Sequence, residues 1–236
     1  MAALAVWARN REQVGDMSCL VSVHFPKAGG TSLARAYEEA FGVDQVLWDY
    51  DNDPADPTTR VNLHPSRDAM LRPSTLAPYR AVHGHFHPNF YTNVTDAVWV
   101  VALRHPVDNL LSIYFYWKMF TDEELMINPL HRYVHNEISD IVTFATIPRM
   151  RYLMTEVYFK GVDMARFDVI GDASDLDGYA ARVGKAAGFS IDALPRENET
   201  ALSEHRREIV DNPRIQRQLR DLLADDLRFY ERHARR

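Results

Sequence analysis

Three clusters of residues in this sequence could do chemistry. In 19–33, CLVSVHFPKAGGTSL, Lys27 precedes two adjacent glycines, Gly29 and Gly30, and two hydroxyl residues, Thr31 and Ser32. Glycines let backbone N–H groups approach a ligand closely and a lysine adds a compact positive charge, so this stretch suits an anion such as a phosphate. The second cluster is Arg104 with Ser112, within VWVVALRHPVDNLLSIYFY. A guanidinium beside a hydroxyl suits another phosphate group through charge-assisted hydrogen bonds. The third is AVHGHFHPNF, which sets His83, His85 and His87 at alternating positions. Alternating histidines at a strand end fit a metal site, a general base near neutral pH, or a hydrogen-bonded structural pair.

Local patterns supply the elements that must position these groups. The apolar run 20–25 breaks at Pro26, and 33–41 then carries apolar residues at helical spacing. That is strand, glycine turn, helix, an arrangement that turns a positive helix end toward a ligand. Gly42 is expected to end the helix. Lys27 comes before the glycines rather than after them, so the stretch is not the G-x-x-x-x-G-K-S/T loop of nucleotide triphosphatases. The run AVWVVAL (97–103) reads as a strand buried on both faces that delivers Arg104 to its carboxyl end. A helix over 105–120 follows, with Pro106 harmless in its first turn.

Further strands are expected at 45–50, 80–86 and 167–171, with a polar loop over 51–65 and a short helix over 67–72. Residues 121–133 read as irregular and 136–159 as one helix bent at Pro148. Ser174 with Asp177 resembles a capping box opening a helix that ends near Gly188, and amphipathic helices run from about 201 onward. Residues 1–17 read as a short helix or a loose lead-in. Strands alternating with helices predict an α/β fold: one domain over 1–236, with a mostly parallel central sheet flanked by helices. Ligands of such sheets bind at the carboxyl ends of the strands.

Composition narrows the partners. A net charge of −6 without a basic stripe argues against nucleic acid. Cys19 is the single cysteine, which forbids a disulfide within the chain and accords with a reducing compartment. The apolar run 2–8 is too short to cross a bilayer and lacks the charged start of a signal peptide. No other stretch is long enough, so a cytoplasmic protein without a membrane span is expected.

The clusters also carry a family resemblance. The first resembles the 5′-phosphosulfate loop, P-K-x-G-G/T-T/S-S/T-L, of sulfotransferases that use 3′-phosphoadenosine 5′-phosphosulfate (PAPS). The second resembles their 3′-phosphate motif, R-D-P-x-x-R-x-x-S-x-Y, matched here by Arg104, Pro106, Ser112 and Tyr114. His105 stands where the family usually has Asp, and Asn109 where it usually has Arg. The third resembles the H-G-H region of heparan sulfate and related uronosyl 2-O-sulfotransferases, a carbohydrate-sulfating group. Weaker likenesses are Arg151-Tyr152-Leu153, FDVIGD (167–172) and PRENET (195–200), the last resembling a loop that closes over the nucleotide. The Golgi relatives' membrane anchor has no counterpart, which points to a bacterial member or a trimmed chain.

This resemblance implies a P-loop-like sulfotransferase fold and in-line transfer of a sulfuryl group from PAPS to an acceptor hydroxyl. It places the backbone of Ala28, Gly29, Gly30, Thr31 and Ser32 on the 5′-phosphate and Lys27 on the bridging oxygen. Arg104 and Ser112 fall on the 3′-phosphate, and Arg196 and Thr200 in the closing loop. His85 becomes the general base, with His83 assisting or orienting it, while His87 has no counterpart. No metal is required, because Lys27 and the helix end supply positive charge. Those relatives act on polyanionic glycans, whereas 121–140 here holds Asp122, Glu123, Glu124, Glu137 and Asp140 against the one Arg132. Such a surface repels a polyanion. A neutral or weakly charged saccharide, glycolipid or small hydroxyl metabolite is therefore expected. Two alternatives stay open: a metal-dependent hydrolase built on His83, His85 and His87, and a nucleotide-binding relative without catalysis, for which His105 and Asn109 speak. Oligomeric state is not specified.

Overall fold

In the computed structural model, which describes residues 19–59, 62, 74–191, 194 and 204–234, the expected apolar runs form five strands. They are β1 (Cys19–Val23), β2 (Val46–Trp48), β3 (Ala81–Gly84), β4 (Ala97–Leu103) and β5 (Val169–Asp172). All pair in parallel, in the order β2-β3-β1-β4-β5. Leu20, Val21, Val100, Val101 and Leu103 are fully buried, as strands covered on both faces require. The helices are α1 (Gly30–Phe41), α2 (Pro106–Trp117), α3 (Asp122–Ile127), α4 (Pro129–Glu137), α5 (Ile141–Thr146), α6 (Pro148–Arg151), α7 (Leu176–Ala187), α8 (Glu204–Asp211), α9 (Pro213–Leu222) and α10 (Ala224–His233).

Strand order fixes where a ligand can sit. From β1 the chain crosses to β2 on one side of the sheet, and from β4 it moves to β5 on the other. The carboxyl ends of β1 and β4, which are neighbours, therefore border the crevice that open parallel sheets use for ligands. Register sets Ser22 of β1 beside His83 of β3, and Val23 beside both Gly84 and Val101.

Several local expectations need correction. Residues 121–133 are not irregular: they contain α3 and the start of α4, because Asn128 accepts from the backbone N–H groups of Leu130 and His131 and Pro129 opens the helix. The stretch 136–159 is not one bent helix. Asp140 caps α5, Pro148 opens α6, and Leu153–Tyr158 is π-helical. The helix after β5 is capped by Asp175, which accepts from Gly178 N–H, rather than by Ser174. It does end at Gly188, which adopts the left-handed conformation. The lead-in 1–17, the helix over 67–72 and the loop 195–200 lie outside the described residues.

The β1–α1 turn depends on its glycines for different reasons. Gly29 has φ +85°, which glycine adopts without steric cost. Gly30 is helical, but a Cβ there would stand 1.9 Å from His24 Cδ2. Glycine-to-alanine replacement inside a helix ordinarily stabilises by about 1 kcal/mol. Gly30→Ala is expected to do the opposite, costing about 1–3 kcal/mol through overpacking, measurable as a lower midpoint in urea unfolding.

Candidate functional site

A cleft of about 1110 Å³ opens at the carboxyl ends of β1, β3 and β4. One wall is the β1–α1 turn. Gly29 at the helix N-cap has no side chain to satisfy the first-turn N–H groups of α1, and no acidic residue occupies that turn. Lys27, Gly29, Gly30, Thr31 and Ser32 all line the cleft, so these donors and the positive helix end face it.

Two side chains from the β4–α2 junction hold this turn. Arg104 Nη1 donates to the Lys27 carbonyl at 2.8 Å, and buried Asn109 Nδ2 donates to the Pro26 carbonyl at 2.6 Å. Together they stabilise Lys27 at φ +57°, a conformation that costs a non-glycine residue about 1 kcal/mol. The departure at Asn109 thus has a clear structural role: it braces the turn. Arg104 and Ser112 also line the cleft. Lys27 Nζ rests 4.0 Å from the centre of the Tyr116 ring, a cation–π contact. Burial, then Arg104 and Arg206, lower the Lys27 pKa. Arg206 of α8 also lines the cleft and lowers the pKa of Arg104, so three cations share one crevice of an acidic chain.

The histidine cluster sits beside them. His24, immediately after β1, lies between two other imidazoles, with ring centroids 5.1 Å from His83 and 4.2 Å from His85. His83 is fully buried and held at both nitrogens, Nδ1 by Ser22 Oγ at 2.9 Å and Nε2 by the Gly30 carbonyl at 3.2 Å. A carbonyl can only accept, so Nε2 carries the hydrogen and Ser22 donates to Nδ1. Tyr37 in turn donates to Ser22. Burial and the neighbouring His85 push the His83 pKa down to about 3.

His85 is arranged the other way round. Its Nδ1 lies 2.7 Å from the His24 carbonyl, which makes Nδ1 the donor and leaves Nε2 as a lone-pair acceptor. His85 lines the cleft, and burial lowers its pKa while Asp53 opposes that fall. His24 is likewise held well below its ordinary value by burial, by His85 and His83, and by Lys27.

Ala28 and His87 take other places. Ala28 is buried, its N–H donating to the Phe25 carbonyl at 3.3 Å within the turn, so it does not face the cleft. His87 Nδ1 accepts from Asn89 N–H and caps the short turn after β3. Among the described residues no group of three or more His, Cys, Asp or Glu is arranged to hold a metal. His83 has both nitrogens engaged, by Ser22 and the Gly30 carbonyl, and His87 Nδ1 is engaged by Asn89 N–H. Arg196 and Thr200 lie outside the described residues.

Asp53, Asp56, Tyr116, Trp117, Phe120 and His131 also line the cleft. Trp117 and Phe120 pack on the His131 ring at 4.3 and 5.0 Å. Sequence reasoning missed His24, Asp53, Tyr158 and Arg206. The histidine directly ahead of F-P-K was a usable signal for His24. No helix among the described residues is long and apolar enough to cross a membrane.

No family model and no curated protein sequence matches this chain. Among solved structures it is similar to a sulfotransferase from Alicyclobacillus acidocaldarius, with TM-score 0.38 and 16% identity, over 89% of this chain and 97% of that one. It is also similar to mouse sulfotransferase SULT7A1 complexed with PAP, with TM-score 0.49 and 12% identity, over 91% of this chain and 86% of that one.

The histidine cluster makes stability depend on pH. His24, His83 and His85 have folded-state pKa values below the unfolded value of about 6.5, so the unfolded chain binds more protons as pH falls. Their contribution is complete above that value and is lost on acidification. His83 alone is expected to remove about 1.4 kcal/mol per pH unit once below pH 6.5, down to its folded value near 3. Urea unfolding between pH 7 and 5 measures this. An unchanged midpoint would contradict the neutral cluster.

Proposed function

We propose that the protein is a PAPS-dependent O-sulfotransferase that moves a sulfuryl group to an acceptor hydroxyl by in-line transfer. The observation that carries this reading is the orientation of His85. Its Nδ1–H is committed to the His24 carbonyl, and its free Nε2 shares one cleft with a phosphate-type turn and a second cationic subsite. A base and two anion sites in one crevice suit a nucleotide carrying two phosphate groups whose 5′ end meets a hydroxyl.

In this reading the N–H groups of Gly30, Thr31 and Ser32 hold the 5′-phosphate against the α1 dipole. Lys27 leaves the Tyr116 ring to neutralise charge on the bridging oxygen. Arg104, Ser112 and Arg206 hold the 3′-phosphate, with Arg104 keeping one nitrogen on the Lys27 carbonyl. His85 Nε2 takes the acceptor's proton as the acceptor oxygen bonds to sulfur and the electron pair of the broken S–O bond leaves with the nucleotide. His83 orients rather than reacts, since both its nitrogens are engaged. Arg196 and Thr200 are assigned to the closing loop from the sequence alone. We assign the carbohydrate or glycolipid acceptor to the part of the cleft lined by Trp117, Phe120 and Asp56, where rings can stack on a sugar face and a carboxylate can accept from hydroxyls. That carboxylate disfavours a polyanionic acceptor.

Turnover followed as release of adenosine 3′,5′-bisphosphate from PAPS tests the roles. His85→Ala is expected to lower kcat by about 10²–10⁴-fold with nucleotide affinity nearly unchanged. Lys27→Ala is expected to lower kcat by about 10²–10³-fold while most product-nucleotide binding survives. Near-wild-type turnover in His85→Ala would remove His85 as the base.

A further inference from the structure

Behind His85 lies a chain of contacts that the transfer described above does not use. Tyr158 is fully buried at the end of the π-helical stretch. Its hydroxyl donates to Asp53 Oδ1 at 2.7 Å and its oxygen lies 3.3 Å from His85 Nδ1. Because His85 Nδ1–H points at the His24 carbonyl at 2.7 Å, Tyr158 Oη is its second, longer acceptor. The carboxylate is fixed as well, since Asp53 Oδ1 also accepts Ala55 N–H at 2.8 Å. Burial and Asp53 hold the Tyr158 phenol well above its ordinary pKa, so it stays a hydroxyl.

Tyr158 is placed by backbone geometry as much as by its own contacts. Val157 N–H bonds to the Tyr152 carbonyl and Phe159 N–H to the Met154 carbonyl, the wide spacing of a π-helix. Buried Asp226 of α10 secures its start by accepting from Met154 N–H, Thr155 N–H and Thr155 Oγ. The phenol therefore meets Asp53 and His85 from a rigid support.

We propose that Tyr158 and Asp53 are positioning residues for His85: they hold its Nδ1–H tautomer and stabilise the imidazolium that forms when Nε2 accepts a proton. The proposal rests on the reading of His85 as the base. No atom moves along the Tyr158–Asp53 chain; the Nδ1 proton stays in place and Asp53 contributes its charge. The need for that charge is clear from what surrounds the ring. The ring is buried, His24 stacks on it and His83 lies beyond His24, and positive charges on these imidazoles and on His85 oppose one another. Tyr50 meets the ring edge-on at 5.2 Å and carries no charge. Asp56 acts on Tyr158 and His131, leaving Asp53 as the carboxylate that favours protonation of His85.

Nitrogen-15 NMR of the imidazoles tests this without substrate, with the His85 signals assigned by their loss in His85→Gln. Wild type is expected to show the Nδ1–H tautomer, and Asp53→Asn and Tyr158→Phe each to lower the His85 titration midpoint by roughly 0.5–1 pH unit. In turnover, both variants are expected to lose about tenfold in kcat with KM changed far less. Midpoints equal to wild type in both variants would overturn the proposal. Failure of the underlying reading appears separately, as a wild-type protein that does not bind adenosine 3′,5′-bisphosphate.

Discussion

The site depends on how the turn between β1 and α1 is held. A chain that must present first-turn N–H groups to a ligand cannot cap them with its own side chains, and Gly29 supplies none. The turn is instead fixed from behind. Arg104 and Asn109 bind successive carbonyls, those of Lys27 and Pro26, and hold Lys27 in a left-handed conformation that the chain would otherwise avoid. The donors come from the β4–α2 junction, so the pairing of β1 with β4 joins the two cleft-lining segments in one unit. Binding and fold are thereby linked: the guanidinium that faces the cleft is also the one that shapes its wall.

The neighbouring histidines are ordered by the same turn. The Gly30 carbonyl fixes His83, the His24 carbonyl fixes His85, and the missing Cβ of Gly30 makes room for the His24 ring. Each carbonyl specifies a tautomer, and the two specifications are opposite: Nε2–H for His83 and Nδ1–H for His85. Burial keeps all three rings neutral, and for His24 and His83 the neighbouring imidazoles add to the effect. Neutral His85 is the form that can accept a proton. The burial that keeps it neutral also makes its protonated form costly, which gives Asp53 its importance.

The sequence made the frame legible where signals were local. The strand–glycine turn–helix at 19–41 and the buried strand at 97–103 followed by Pro106 read correctly, because periodicity, Gly and Pro all agree within a few residues. The helices α3 and α4 were missed because their surfaces are mixed, although Asn128-Pro129 is an N-cap followed by a first-turn proline. The π-helical stretch was hidden for another reason: its cap, Asp226, is 72 residues from Met154. Contacts at that separation leave no local pattern. The same holds for Asp53 and Tyr158, which lie 32 and 73 residues from His85. His83 and His85 were visible as a pair, yet their different duties depend on which carbonyl each one meets.

The central claim is that this cleft takes a nucleotide with phosphate at both the 3′ and 5′ positions. Calorimetry with adenosine 3′,5′-bisphosphate, compared with adenosine 5′-monophosphate and run with EDTA present, tests it most directly because no acceptor is needed. The expected result is binding of the bisphosphate that persists in EDTA and weakens by about tenfold or more, at least about 1.4 kcal/mol, when the 3′-phosphate is absent. Absence of binding, or equal affinity for both nucleotides, would contradict the account.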